Sequence, residues 1–243
     1  MAEEPLLELD QGTLLVVTEE IKHKSKGYVV VKSCGTPQDI PILLEEGITR
    51  LKDAGAKEIF AACSVPENPL TEEYCQAGRY QLKFEGNMLE MQCELVPNYS
   101  EEEGMLVLTP LGRENAQTFL ALYNDTFFKV PNSATYQQEE LTRLLDTTKT
   151  LCFLVNCQGE DVGIAELDLQ TEIPEIASVG IVPGKRGNGL GASLMHSLMA
   201  VLAQRGYTKV FLRVHEANST ALALYQRLGF EVVKVITRWY RLQ

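Results

Sequence analysis

The sequence predicts a mixed α/β (α+β) fold, in which helices cover both sides of a mixed, mostly antiparallel sheet. Two observations carry that prediction. Short apolar runs with strand-like spacing alternate with amphipathic runs of helical period along the second half of the 243-residue chain. A cluster of three glycines, RGNGLG at 186 to 191, then joins one strand-like run directly to one helix-like run.

The elements follow in order. MLVLTP, from Met105, reads as a strand, GRENAQTFLALYND as an amphipathic helix, and YQQEELTRLLDTT as a second helix with Leu141, Leu144 and Leu145 on one face. LCFLVNC, a QGED turn and VGIAELDL read as a hairpin of two strands, and EIASVGIV as a third strand leading into the glycines. Beyond them Leu190, Leu194, Met195, Leu198, Met199 and Leu202 form one helical stripe, which Gly206 ends. KVFLRVH is a strand, Asn218 or Ser219 an N-cap for STALALYQRLG, and Phe230 to Arg241 alternates as one or two closing strands.

The first part of the chain is related to the second by an internal match. LKDAGAKEIFAACSV, Leu51 to Val65, overlays LAQRGYTKVFLRVHE, Leu202 to Glu216, at an offset of 151, with Gly55 on Gly206 and Phe60 on Phe211. Tyr74 with Gly78 and Tyr80 then echoes Tyr225 with Gly229 and Phe230 after a one-residue gap. At the same offset Gly35, Gln38 and Ile40 stand where Arg186, Gly189 and Gly191 stand, so the first copy lacks the glycine segment. The polar stretch Asn98 to Gly104 reads as the linker, giving domains at 1–104 and 105–243.

Composition narrows the partners. The net charge is −11, and residues 1 to 105 hold 20 acidic against 9 basic groups while the remainder is balanced at 13 against 13. Nucleic acid and anionic membranes, which need clustered Lys and Arg, are therefore unsuitable partners. No apolar run approaches the roughly 18 to 20 residues that span a bilayer, and the acidic start is unlike a targeting peptide, so a cytoplasmic location is expected. Six cysteines without CxxC spacing or nearby histidines read as reduced thiols, with no metal site. A homodimer is left open.

At a strand-to-helix junction the backbone N–H groups point outward unpaired, with the positive end of the helix dipole behind them, which makes an anion site. Bare glycine leaves those donors uncovered and permits a tight turn. Neither GxxxxGK[ST] nor a full dinucleotide fingerprint is present: after Gly189 and Gly191 the next expected glycine is Leu194.

VGIVPGKRGNGLGASL, followed at a distance by NSTALALYQRLGFE, resembles the GNAT acetyltransferase superfamily over about Leu106 to Gln243. Tyr123 to Tyr136 further resembles tandem-domain members of that superfamily, including the mycothiol-synthase type. The resemblance implies two tandem GNAT-like domains, the N-terminal one incomplete, and acetyl-CoA as co-substrate. It implies that the pyrophosphate meets the amides of Arg186, Gly187, Asn188, Gly189, Leu190 and Gly191, and the pantetheine arm the backbone of Ile181 and Val182. Asn218 and Tyr225 take the places of a second cofactor contact and the general acid.

The implied reaction is acetyl transfer to a primary amine of a small molecule or peptide by direct attack, which needs a base for the amine proton and an acid for the departing thiolate. Strand alternation puts Glu175 on one face with Ala177, Val179 and Ile181, and Glu175 is the expected base, with Glu166 on the preceding strand as the alternative. The rival readings of these residues are Tyr225 as a core aromatic and Glu175 as an exposed strand-end carboxylate. A non-catalytic acyl-CoA-binding regulatory module is the rival reading.

Overall fold

The computed structural model describes residues 6–64, 74, 78–96, 106–130 and 133–243. Its strands and helices group into two compact units, each discontinuous in sequence: one holds the residues up to Leu89 with His215–Ala217 and Val235–Gln243, the other Glu90–Val214 with Asn218–Lys234. The expected linker lies among residues 97–105, outside the described residues.

In the first unit β1 (Leu6–Leu9) and β2 (Gly12–Val17) form an antiparallel hairpin, followed by α1 (Glu19–Lys24), β3 (Lys26–Cys34), α2 (Ile40–Asp53) and β4 (Glu58–Cys63). β3 and β4 are parallel with α2 as their crossover, the arrangement a helix needs to return the chain to the same end of the sheet. β5 (Leu82–Glu94) contributes its residues through Leu89, and β11 (Glu231–Leu242) its C-terminal end, antiparallel to β4 through Tyr240 and Ala61. The strand order is β1-β2-β3-β4-β11-β5.

Helix α2 buries Ile40, Leu43, Leu44, Ile48 and Leu51, one stripe of period 3.6, against Leu14, Val29, Val31 and Ile59. Gly47 lets the helix close on the sheet, because a Cβ there would overlap the Val29 side chain. Before α2 there is no glycine loop. A turn of 3-10 helix, Pro37–Asp39, occupies that junction, and Asp39 Oδ2 accepts from the Thr36 amide (2.7 Å) and hydroxyl (2.8 Å).

The second unit contains β6 (Val107–Pro110), α3 (Ala116–Phe127), α4 (Gln138–Asp146), β7 (Thr150–Cys157), β8 (Glu160–Asp168), β9 (Glu175–Ile181), α5 (Leu190–Gln204), β10 (Lys209–His215, through Val214) and α6 (Ser219–Arg227). With the remaining residues of β5 and β11 its strand order is β6-β7-β8-β9-β10-β5-β11. β6 to β9 are antiparallel in sequence order, and β9 and β10 are parallel with α5 as crossover. The fold class is thus as expected, a mixed and mostly antiparallel sheet with flanking helices. Phe230 to Arg241 proves to be one closing strand, not two.

The matched segments share a detail at the offset of 151. Gly55 and Gly206 both have positive φ (89° and 88°), and after each helix the same pair of bonds closes the last turn: Gly55 to Lys52 and Ala56 to Leu51, Gly206 to Ala203 and Tyr207 to Leu202.

Candidate active site

β9 and β10 are parallel, and among the described residues they pair at one position, Glu175 with Phe211, fastened by the Phe211 N–H donating to Pro174 O (3.0 Å). Beyond Glu175 the two strands separate. β9 then ends at Ile181, a 3-10 turn covers Pro183–Lys185, and α5 begins at Leu190 with Gly189 as its N-cap residue.

Gly187 (φ 86°) and Gly189 (φ 79°) occupy the left-handed region, which an L-residue with a branched side chain resists. Nothing lies within 4 Å of where a Cβ would stand on either, so packing does not demand these glycines; the turn and open access do. Among the described residues the N–H groups of Gly187, Gly189, Leu190 and Gly191 meet no acceptor. Four such donors at the head of a 15-residue helix are the arrangement that suits an anion. Asn188 turns its side-chain amide back to Lys185 O (3.5 Å).

Arg186 does something the sequence did not reveal. Its Nε donates to Ile181 O (2.8 Å) and its Nη2 to Thr126 O (2.8 Å), so the guanidinium clamps the glycine loop to β9 and to the end of α3. The backbone expected to meet the pantetheine arm is also engaged: Val182 N–H donates to Val162 O (2.9 Å), and Val182 O accepts from Lys185 N–H (2.9 Å).

Of the two N-cap candidates the structure selects Asn218, whose Oδ1 accepts from Ala221 N–H at 3.4 Å. Tyr225 lies on α6 and is buried beside Phe230, with ring centroids 6.0 Å apart, and burial pushes its phenol up to about 12. A Cβ on Gly191 would meet Leu224, the neighbour of Tyr225, at 3.5 Å, so the head of α5 lies against α6. Among the described residues no hydrogen bond or ion pair joins Tyr225 to Glu175 or Glu166.

The expected face of Glu175 needs correction. Between Glu166 and Leu167 the register of β8 against β9 shifts: Glu166 faces Ser178, but Leu167 faces Ile176, leaving Ala177 as an extra residue. Such a bulge breaks the period of two. Glu175 therefore shares a face with its partner Asp168, and hence with Glu166 and Ser178, while Val179 and Ile181 are on the other face with Ala165 and Gly163. Burial raises the Glu175 carboxyl above the usual range; Arg213, 3.3 Å away, lowers it in part, and Asp168 and Glu90 oppose that.

Glu166 is the more enclosed carboxylate, 3% exposed. Its Oε2 accepts from Ser178 Oγ (2.9 Å) and from the Tyr136 hydroxyl (3.1 Å). Burial raises it to about 7, against the pull of those two hydroxyls. Tyr136 is itself fixed by stacking on Tyr123 (centroids 3.6 Å, 10°) and by two hydrogen bonds with the Asn124 side-chain amide. Sequence reasoning missed Ser178, Tyr136 and Arg213, since each is identified only by strand register or by the α3 to α4 connection. The likeness noted over Tyr123 to Tyr136 was the one signal pointing there.

The family model described as "Acetyltransferase (GNAT) family" matches residues 116–230, which contain the glycine cradle, Asn218 and Tyr225. Residues 116–230 belong to the GNAT acetyltransferase family. The chain is 33% identical over 147 residues to a mycothiol acetyltransferase of Thermobispora bispora, a match taking in 56% of this chain and 48% of that protein. It spans about half the length of the curated relatives it matches. The fold is that of GCN5-related N-acetyltransferases from Sphaerobacter thermophilus (TM-score 0.66, 18% identity, 94% of this chain and 75% of that one) and Kribbella flavida (TM-score 0.60, 18% identity, 98% and 88%). Five cysteines are free thiols, and Cys75 is outside the described residues. Among the described residues no group of three or more His, Cys, Asp or Glu side chains is placed to hold a metal ion, and no helix is long and apolar enough to cross a membrane.

Proposed function

We propose that the second unit is an acetyl-CoA-dependent N-acetyltransferase acting on a primary amine of a small molecule or peptide. The observation that carries this reading is the row of unfilled N–H donors at Gly187, Gly189, Leu190 and Gly191, set where β9 has parted from β10. Donors at a helix head suit a pyrophosphate, and the gap between the strands suits an extended thioester arm. Glu175 accepts the amine proton, the amine nitrogen bonds to the acyl carbon as the carbon–sulfur bond breaks, and Tyr225 supplies the proton to the thiolate. Arg186 orients the cradle from behind, through carbonyl oxygens. The relatives named mycothiol acetyltransferases support acetyl transfer as the reaction.

The first unit is read as a copy that binds no acetyl-CoA. At its strand-to-helix junction the Asp39 carboxylate lies before α2, so a negative charge stands where the other unit leaves bare amides. The matching turns at Gly55 and Gly206 support common descent of the two copies.

The regulatory reading, binding without transfer, has one observation in its favour: Arg213 already occupies the Glu175 carboxylate. Release of free thiol from acetyl-CoA with a panel of amines decides between them. Turnover supports the enzyme, and tight binding without thiol release with any amine supports the module. Calorimetric titration should give one site per chain, and two would overturn the reading of the first unit.

A further inference from the structure

Arg213 stands between two carboxylates. On β10 it lies two residues beyond Phe211, the partner of Glu175, and its Nη1 is 3.3 Å from Glu175 Oε2. On the other side of β10 runs β5. Leu95 N–H donates to Thr208 O (2.7 Å) and Glu216 N–H to Asn87 O (2.9 Å), and between those two bonds each strand advances eight residues, 87 to 95 and 208 to 216. One unbroken antiparallel register therefore sets Glu90 opposite Arg213, at a pair that exchanges no backbone hydrogen bonds. Side chains approach most closely at such pairs, with Cβ atoms about 5 Å apart.

Glu90 is itself held. It is 8% exposed, its Oε2 is 3.1 Å from Lys234 Nζ on β11, and its Oε1 accepts from Gln92 Nε2 (3.4 Å). With Asp168 paired to Glu175, the charged side chains Asp168, Glu175, Arg213, Glu90 and Lys234 run across the neighbouring strands β8, β9, β10, β5 and β11. In that row Glu175 and Glu90 compete for one guanidinium. The Phe211 ring, its centroid 5.4 Å from the guanidinium, steadies the Arg213 side chain between them. Burial lifts the Glu175 carboxyl, Arg213 draws it down, and Asp168 and Glu90 push it up, so the charges acting on it come from β8, β10 and β5; Glu166 shares its face two residues along β8.

We propose that Arg213 is a positioning residue for the transfer reaction: it holds Glu175 Oε2, leaves Oε1 to take the amine proton, and passes to Glu90 once that proton has arrived. The proposal rests on the acetyl-transfer reading, in which Glu175 is the base. The proton leaves the attacking nitrogen for Glu175 Oε1, the charge of that carboxylate is neutralised, and its pull on Arg213 ends. Glu90 keeps its own pull from the opposite strand and takes the guanidinium. The arginine charge thus has a carboxylate partner before the proton moves and after it.

The test reads the acid limb of the pH profile of kcat/KM, which reports the base in the free enzyme, with an amine that releases thiol from acetyl-CoA. Arg213→Met keeps the apolar stem beside Phe211 and removes the charge, so the limb should move to higher pH by about half a unit or more. Glu90→Gln removes a like charge and leaves Arg213 to Glu175 alone, so the limb should move to lower pH. Arg213→Lys keeps the charge without the planar fork: the limb should stay near that of the wild type while kcat falls about threefold or more. The KM for acetyl-CoA should be unchanged in all three. A merely structural role would lower activity without opposite movements of the limb. Should the buried Glu90→Gln fail to fold, the Met and Lys variants of the half-exposed Arg213 decide alone. A second arm needs no turnover: carbon-13 NMR titration of the Glu175 carboxyl without acetyl-CoA, assigned by its loss in Glu175→Gln, should show the same opposite movements. If it does while no amine is acetylated, the acetyl-transfer reading fails and the coupling of Arg213 to Glu175 stands. A limb that Arg213→Met leaves in place, or that Arg213→Met and Glu90→Gln move in the same direction, overturns the proposal.

Discussion

The guanidinium of Arg186 and the carbonyl of Thr126 meet at 2.8 Å across sixty residues of chain, and the same side chain reaches Ile181 O. One residue of the glycine segment thereby fixes the cradle to β9 and α3 together. Replacing it with Lys keeps the charge but loses the planar fork that serves two acceptors at once. Arg186→Lys should weaken acetyl-CoA binding about tenfold with little change in far-UV circular dichroism, and calorimetric titration measures it. Unaltered affinity would show that the clamp does not shape the cradle.

Gly189→Val should abolish acetyl-CoA binding. Its φ of 79° disfavours a β-branched residue by about 1 to 3 kcal/mol, and the new side chain would project into open space over the donors, not into the core. The fold should therefore survive, as thermal denaturation can verify. A folded variant with normal affinity would refute the phosphate cradle.

Tyr225→Phe should reduce kcat by roughly 10- to 10³-fold with little effect on acetyl-CoA affinity, the range for a general acid. Burial favours the protonated phenol, the form needed to donate. Retention of turnover would make Tyr225 a packing residue beside Phe230.

Glu166 should make stability depend on pH. Its folded carboxyl, raised from 4.5 to about 7, binds a proton more readily than the unfolded one, so its contribution to stability is fully present below about 4.5 and is lost as pH rises through 7. The loss attributable to this group is about 3 kcal/mol. Urea denaturation of the wild type and Glu166→Gln at pH 5 and pH 8 should show a smaller drop in the variant. Parallel drops would place Glu166 near an ordinary carboxylate.

The amino-acid sequence by itself determined the parts governed by neighbours along the chain. The stripe from Leu190 to Leu202 makes α5 a buried helix, Gly206 closes it, and Gly187 and Gly189 take the left-handed turn that bares the amides. These follow from a helix period, a missing Cβ and a missing hydrogen-bond partner, all readable within a few residues. Tertiary structure alone decided which carboxylates face one another. Strand alternation put Glu175 with Val179 and Ile181, but the extra residue at Ala177 turned it to the face of Glu166, because a bulge arises from pairing between two strands and not from either sequence alone. The Ser178 and Tyr136 hydroxyls on Glu166, and the Thr126 carbonyl on Arg186, likewise join residues 12 to 60 positions apart. Where β9 parts from β10 is likewise a matter of pairing between two strands, which among the described residues ends at Glu175 and Phe211.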